Sequence, residues 1–113
     1  MNNFKFSICV FILLLSACSK NDVLLVGMNA SFMGQFSSVC DGNSKCIEVA
    51  ETYADKCFDN DLGLKAIQAK NKVDKKSINS EHILKYQNCL AKESGTEYWL
   101  DLDMVNYILD QVA

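Results

Sequence analysis

From Asn43 to the end of the chain, apolar residues recur at three- and four-residue steps, the spacing that gathers side chains on one face of a helix. Behind a cap at Asn43 or Ser44, Cys46, Val49, Ala50, Tyr53 and Cys57 share a face while Lys45, Glu48, Glu51 and Asp55 fall elsewhere, which predicts a first helix over 44–57. The stretch Asp59-Asn60-Asp61-Leu62-Gly63 has the composition of a turn. Beyond it Leu64, Ile67 and Val73 line a weaker second helix whose end, with Lys70, Lys72, Lys75 and Lys76, is strongly polar. Ser77, Asn79 and Ser80 offer the next caps, and Ile83, Leu84, Tyr86 and Leu90 form the apolar stripe of a third helix around Cys89, ended by Ser94-Gly95. Thr96 caps a fourth, in which Tyr98, Leu102, Val105, Leu109 and Val112 follow one another, widened by Trp99 and Ile108. Glu97, Asp101 and Asp103 lie in its first half, where carboxylates suit the positive end of the helix dipole. The expected fold is therefore mainly α, a small bundle of about four helices.

The residues before this region behave differently. Ser19-Lys20-Asn21-Asp22 is polar, but Val23 to Val26, then Met28, Phe32, Met33 and Phe36, are too apolar for a flexible spacer. The expectation is a tether whose segment 23–28 docks as a strand-like edge on its own domain; the alternatives are that it lies on a lipid surface or meets a partner.

The start of the chain carries an export pattern. Lys5 is followed by an almost unbroken apolar run from Phe6 to Leu15, then by the small residues Ser16 and Ala17 before Cys18. From Phe6 to Cys18 the run is about 13 residues, short of the ~20 that span a bilayer as a helix. Leu15-Ser16-Ala17-Cys18 resembles the lipobox of bacterial lipoproteins. That resemblance implies a diacylglycerol on the Cys18 sulfur, cleavage just before it, and anchorage of the mature chain on the periplasmic side of the envelope. Ser19 occupies the position where an aspartate retains such proteins in the inner membrane, so the outer membrane is expected ahead of the inner. An ordinary secretory signal cut nearby is the alternative. The division that follows is a signal peptide over 1–17, a lipidated N-terminus and tether over 18–38, and a helical domain over 39–113.

Cysteine usage favours lipidation. Of six cysteines, Cys9 leaves with the signal, and with Cys18 acylated, Cys40, Cys46, Cys57 and Cys89 remain as an even set for an oxidising compartment. Along a continuous helix from 44 to 57, Cys46 and Cys57 would stand about 16 Å apart, beyond disulfide reach. Pairing Cys40 with Cys57 would require its short lead to run back along the same helix. Cys40–Cys46 and Cys57–Cys89 are the bridges expected.

Composition narrows the functions open to a chain of this kind. With 113 residues, half of them apolar, there is material for one small domain. The net charge is -3 and arginine is absent, so no basic stripe invites nucleic acid. His82, the only histidine, reads as a helix-surface residue far from any motif. Asp59, Asp61 and Gly63 hint at a calcium loop, yet Lys70 stands where its glutamate should be. No metal, cofactor or catalytic residue is assigned. The recognition candidates are Tyr98 and Trp99 with the acids Asp101 and Asp103, aromatics beside charge being common interface anchors, although Trp99 is expected first in the core. The expected function is that of a non-catalytic protein-binding module in the envelope, foremost an immunity or inhibitor lipoprotein against a toxin or hydrolase. It shares a general plan with helical periplasmic immunity proteins of type VI secretion amidases, without any motif of theirs. The rival is a structural accessory of a secretion, pilus or conjugation machine.

Overall fold

The structure, a computed structural model, describes residues 20–112. The segment expected as a signal peptide and the expected lipidation site Cys18 lie outside the described residues. Within them the fold is mainly helical, with no strand: α1 (Lys20–Ser38), α2 (Ser44–Thr52), α3 (Ala54–Cys57), α4 (Asn60–Gln68), α5 (Lys72–Ser94), a 3-10 helix (Glu97–Asp101) and α6 (Met104–Val112).

The tether of the sequence reading is itself a helix. Leu25, Met28, Phe32 and Phe36 fall on one face of α1, and Phe32 and Phe36 are buried at the centre of the core. A β-rich reading of Val23 to Val26 loses to this packing, because burial of two phenylalanines outweighs local propensity. The domain thus begins within α1 rather than at residue 39. Asp41 and Gly42 take left-handed backbone (φ 51° and 78°) to reverse the chain, and the side chain of Asn43 caps α2 by accepting the Cys46 N–H at 2.9 Å. The Cys40–Cys46 disulfide closes this turn.

The helix expected over 44–57 is interrupted at Tyr53, which leaves helical backbone (φ -101°, ψ 8°) between α2 and α3. That offset aims Ala54 and Cys57 inward, and Cys57 bonds Cys89 of α5 with the two Cα atoms 5.5 Å apart. The turn expected at 59–63 is instead the first turn of α4. Asp59 is its N-cap, accepting the Leu62 N–H at 3.0 Å, so the Asp/Asn-rich composition marks a helix start. Gly63 lets α1 approach α4: a Cβ there would lie 2.7 Å from Leu25 Cδ2 and 3.2 Å from Phe58 Cζ. Gly63→Ala gains helix propensity against mild crowding, but Gly63→Leu has nowhere to go. It should cost about 2 kcal/mol in urea unfolding.

The third expected helix starts earlier than its serine caps suggested. Asn71 caps α5 by accepting the Asp74 N–H at 2.8 Å, and Gly95 ends the helix in left-handed conformation (φ 72°). Lys75, one turn in, donates to the Ala66 carbonyl at 3.0 Å, an oxygen that also accepts the Ala69 N–H, and so fastens the start of α5 to the end of α4. The last expected helix is broken in two. Gln87, buried on α5, donates through Nε2 to the carbonyls of Trp99 and Leu102, the latter at 2.7 Å, and so ties both sides of the break to α5. Leu102 is extended, and the Asp103 carboxylate takes up the Asn106 N–H to start α6.

The core is aromatic. Tyr86 of α5 meets Phe32 and Phe36 with ring centroids 5.4 and 4.6 Å away, and Phe36 reaches Trp99 at 6.0 Å. Among the described residues, the side chains in or against this core run from Leu25 to Leu109. No helix of the described residues is long and apolar enough to cross a membrane.

Candidate interaction surface

The four residues singled out for recognition do not converge. Trp99 is only 1% exposed and belongs to the core, as expected first for it, with one edge lining the hollow beside Tyr98. Tyr98, its neighbour, is 41% exposed. Its ring stands edge-on to Trp99 at 5.4 Å, and its hydroxyl donates to the Val39 carbonyl at 2.9 Å, fastening the 3-10 helix to the end of α1. Asp103 is engaged in capping α6, where it also accepts from Asn106 Nδ2 at 2.7 Å. Asp101 is exposed.

Tyr98 borders a shallow hollow of about 480 Å³ whose other walls include the Cys40–Cys46 bridge, Lys45 and Val49. Leu100, 46% exposed, lies two residues further on. This end of the molecule carries a lysine, a disulfide surface and exposed apolar side chains, materials for contact rather than for bond-making. It adjoins the C-terminal end of α1, so it stands away from the helix start at Lys20.

A second constellation, which the sequence reading missed, surrounds His82. The ring is fully buried on α5, against Phe32 and Phe58 at 4.6 Å each, and not on the helix surface as expected. Its signal was present: 82, 86 and 90 are one stripe at four-residue steps. Nε2 accepts the Asp59 N–H at 3.0 Å, so in the neutral ring the proton sits on Nδ1. Lys85 donates to the Asp59 carboxylate at 2.5 Å, which holds that carboxyl below its usual range and the lysine above its own. Burial pushes His82 down to about 4, with the Lys85 charge acting the same way and Asp59 opposing. Burial likewise raises the Tyr86 phenol. The arrangement pins the start of α4 to α5; a ring without solvent access cannot pass a proton to a substrate. Among the described residues no group of three or more His, Cys, Asp or Glu side chains is placed to hold a metal ion.

No protein-family model, curated protein or solved structure matches the chain.

Proposed function

We propose that the chain is a lipid-anchored envelope protein that binds another protein without catalysis, as an inhibitor or immunity lipoprotein against a hydrolase or toxin. The observation that carries this reading is the fate of the cysteines. Cys40, Cys46, Cys57 and Cys89 are all consumed in two bridges, which agrees with an oxidising compartment and leaves Cys18, at the end of Leu15-Ser16-Ala17-Cys18, for acylation. The disposition of surfaces supports the binding half of the proposal. From Lys20 to Ser38, α1 is 19 residues, about 28 Å, so a chain held at Cys18 presents Tyr98 and Leu100 well away from the anchor.

The test is crosslinking in intact cells followed by purification of the full chain, beside Cys18→Ala and Leu100→Asp versions. The expected result is one hydrolase recovered in near-equal amount, with recovery cut at least tenfold by Leu100→Asp, and acyl mass on the purified protein that Cys18→Ala removes. Subunits of an assembly machine in place of a hydrolase would make it an accessory protein. Recovery of no protein at all would overturn the binding role.

A further inference from the structure

The other end of the molecule has a composition that the domain's own packing does not explain. From Val23 to Ser38 α1 carries no charged residue, and its outward face is apolar in the first turns before passing to glycine, alanine and serine. Val23, Leu24 and Val26 are exposed in its first two turns, Val26 at 72%. A stretch of helix apolar on all sides, as Val23 to Val26 is, belongs in a core or against lipid, and among the described residues its outer side meets no core.

Three further elements meet α1 at this end. Val23 and Leu24 line a groove of about 400 Å³ together with Ile67 from the end of α4, Asn79 of α5 and Leu109 of α6. The junction of α4 and α5 is therefore beside the start of α1, and it is where the lysines are. Residues 65–76 hold five lysines and one acid, a net +4 in a chain whose total is -3, leaving -7 on the rest. All five lysines are exposed, and Val73 among them is 77% exposed. Lysines on the junction beside protruding valines and a leucine are the two ingredients of an interfacial membrane surface: apolar side chains enter the acyl boundary while ammonium groups meet phosphates.

We infer that the end formed by the first turns of α1 and the α4–α5 junction is a seat for an anionic phospholipid surface. The inference rests on the proposed anchorage for its placement, since α1 begins two residues after Cys18 and an acylated Cys18 would press this end onto the bilayer. Charge complementarity selects lipid over a second copy of the chain, because juxtaposed copies would oppose lysine to lysine. The anchor alone lets the domain swing; the seat fixes it with the Tyr98 end outward.

The oxidised chain of residues 19–113, the proposed mature form without its lipidated cysteine and first shown to melt cooperatively, suits a test that needs no lipidation. It should cosediment with vesicles in which about a third of the phosphatidylcholine is replaced by phosphatidylglycerol, and much less with phosphatidylcholine alone. Val26→Asp should weaken that partition about tenfold, and Lys70→Glu with Lys72→Glu at least fivefold, with unchanged melting; Leu100→Asp should leave it as it was. Equal or no binding to the two vesicle types would overturn the seat. So would a dimer in sedimentation equilibrium that Val26→Asp dissolves, which would give this face to a second copy. The anchorage is read separately, from acyl mass on protein taken from cells. Vesicle binding without acyl mass upholds the seat and sinks the anchor, and acyl mass without vesicle binding does the reverse.

Discussion

Replacing Cys57 and Cys89 together by alanine should lower stability by about 3–4 kcal/mol, the loop-closure entropy restored to the unfolded chain when a 32-residue separation is no longer bridged. Removing Cys40 and Cys46, six residues apart, should cost only about 2 kcal/mol on the same account. The larger figure is a large share of what a domain of this size has, since ~0.05–0.15 kcal/mol per residue is typical. Its structural meaning is specific. Cys57 sits in the four-residue α3, too short to hold its place by its own hydrogen bonds, and the bridge joins it to the long α5. Loss of the bridge should therefore free α3 and the start of α4 first, seen as faster amide exchange there than in α5. Urea unfolding of the two double variants under oxidising conditions checks the order. A Cys57/Cys89 variant as stable as the Cys40/Cys46 one would mean that α3 is held by packing instead.

The bridges were legible in the sequence because helical rise alone separates Cys46 from Cys57. That conclusion survives the break at Tyr53, which shifts the helix axis but does not bring those residues together. The caps were legible too, with Asn43 and Thr96 in their expected places. What escaped depends on partners distant in sequence. The interruption after Asp101 is held to α5 by Gln87, a buried amide twelve residues before Trp99 that donates to its carbonyl and to that of Leu102. The helical state of 20–38 is decided by the cavity that Tyr86, Trp99 and Phe58 build around Phe32 and Phe36, and no local rule over Val23 to Val26 contains it. Among the recognition candidates, Tyr98 and Trp99 are adjacent and in edge-to-face contact, and only the packing of the 3-10 helix against the core decides that Tyr98 is exposed while Trp99 is buried. The charge segregation at 65–76 was visible as a lysine run, but its meaning depended on the start of α1 lying beside it.

His82 should make the domain acid-labile in a pH range where surface histidines have little effect. Its ring is neutral in the folded chain, held at about 4 by burial against an ordinary value of 6.5. Protonation would turn Nε2 from an acceptor of the Asp59 N–H into a donor facing a donor. Between pH 6.5 and about 4 the unfolded chain binds a proton that the folded chain refuses, so stability falls as pH drops through that window and is fully present above it. The whole window is worth about 3 kcal/mol at 1.36 kcal/mol per pH unit. Asp59, whose carboxyl is held low chiefly by the Lys85 hydrogen bond, adds its own loss only in more acid solution, because its stabilisation disappears below the ordinary carboxylate range. The two contributions are thus separated in pH. Urea unfolding at pH 7.5 and 4.5, on the full domain and on His82→Gln, isolates the first: glutamine can still accept the Asp59 N–H through its amide oxygen but has no proton to bind. The native chain should lose about 2–3 kcal/mol more than the variant between those two conditions. Equal losses would place the titrating groups elsewhere and would mean that His82 is more accessible to water than its packing between Phe32 and Phe58 allows.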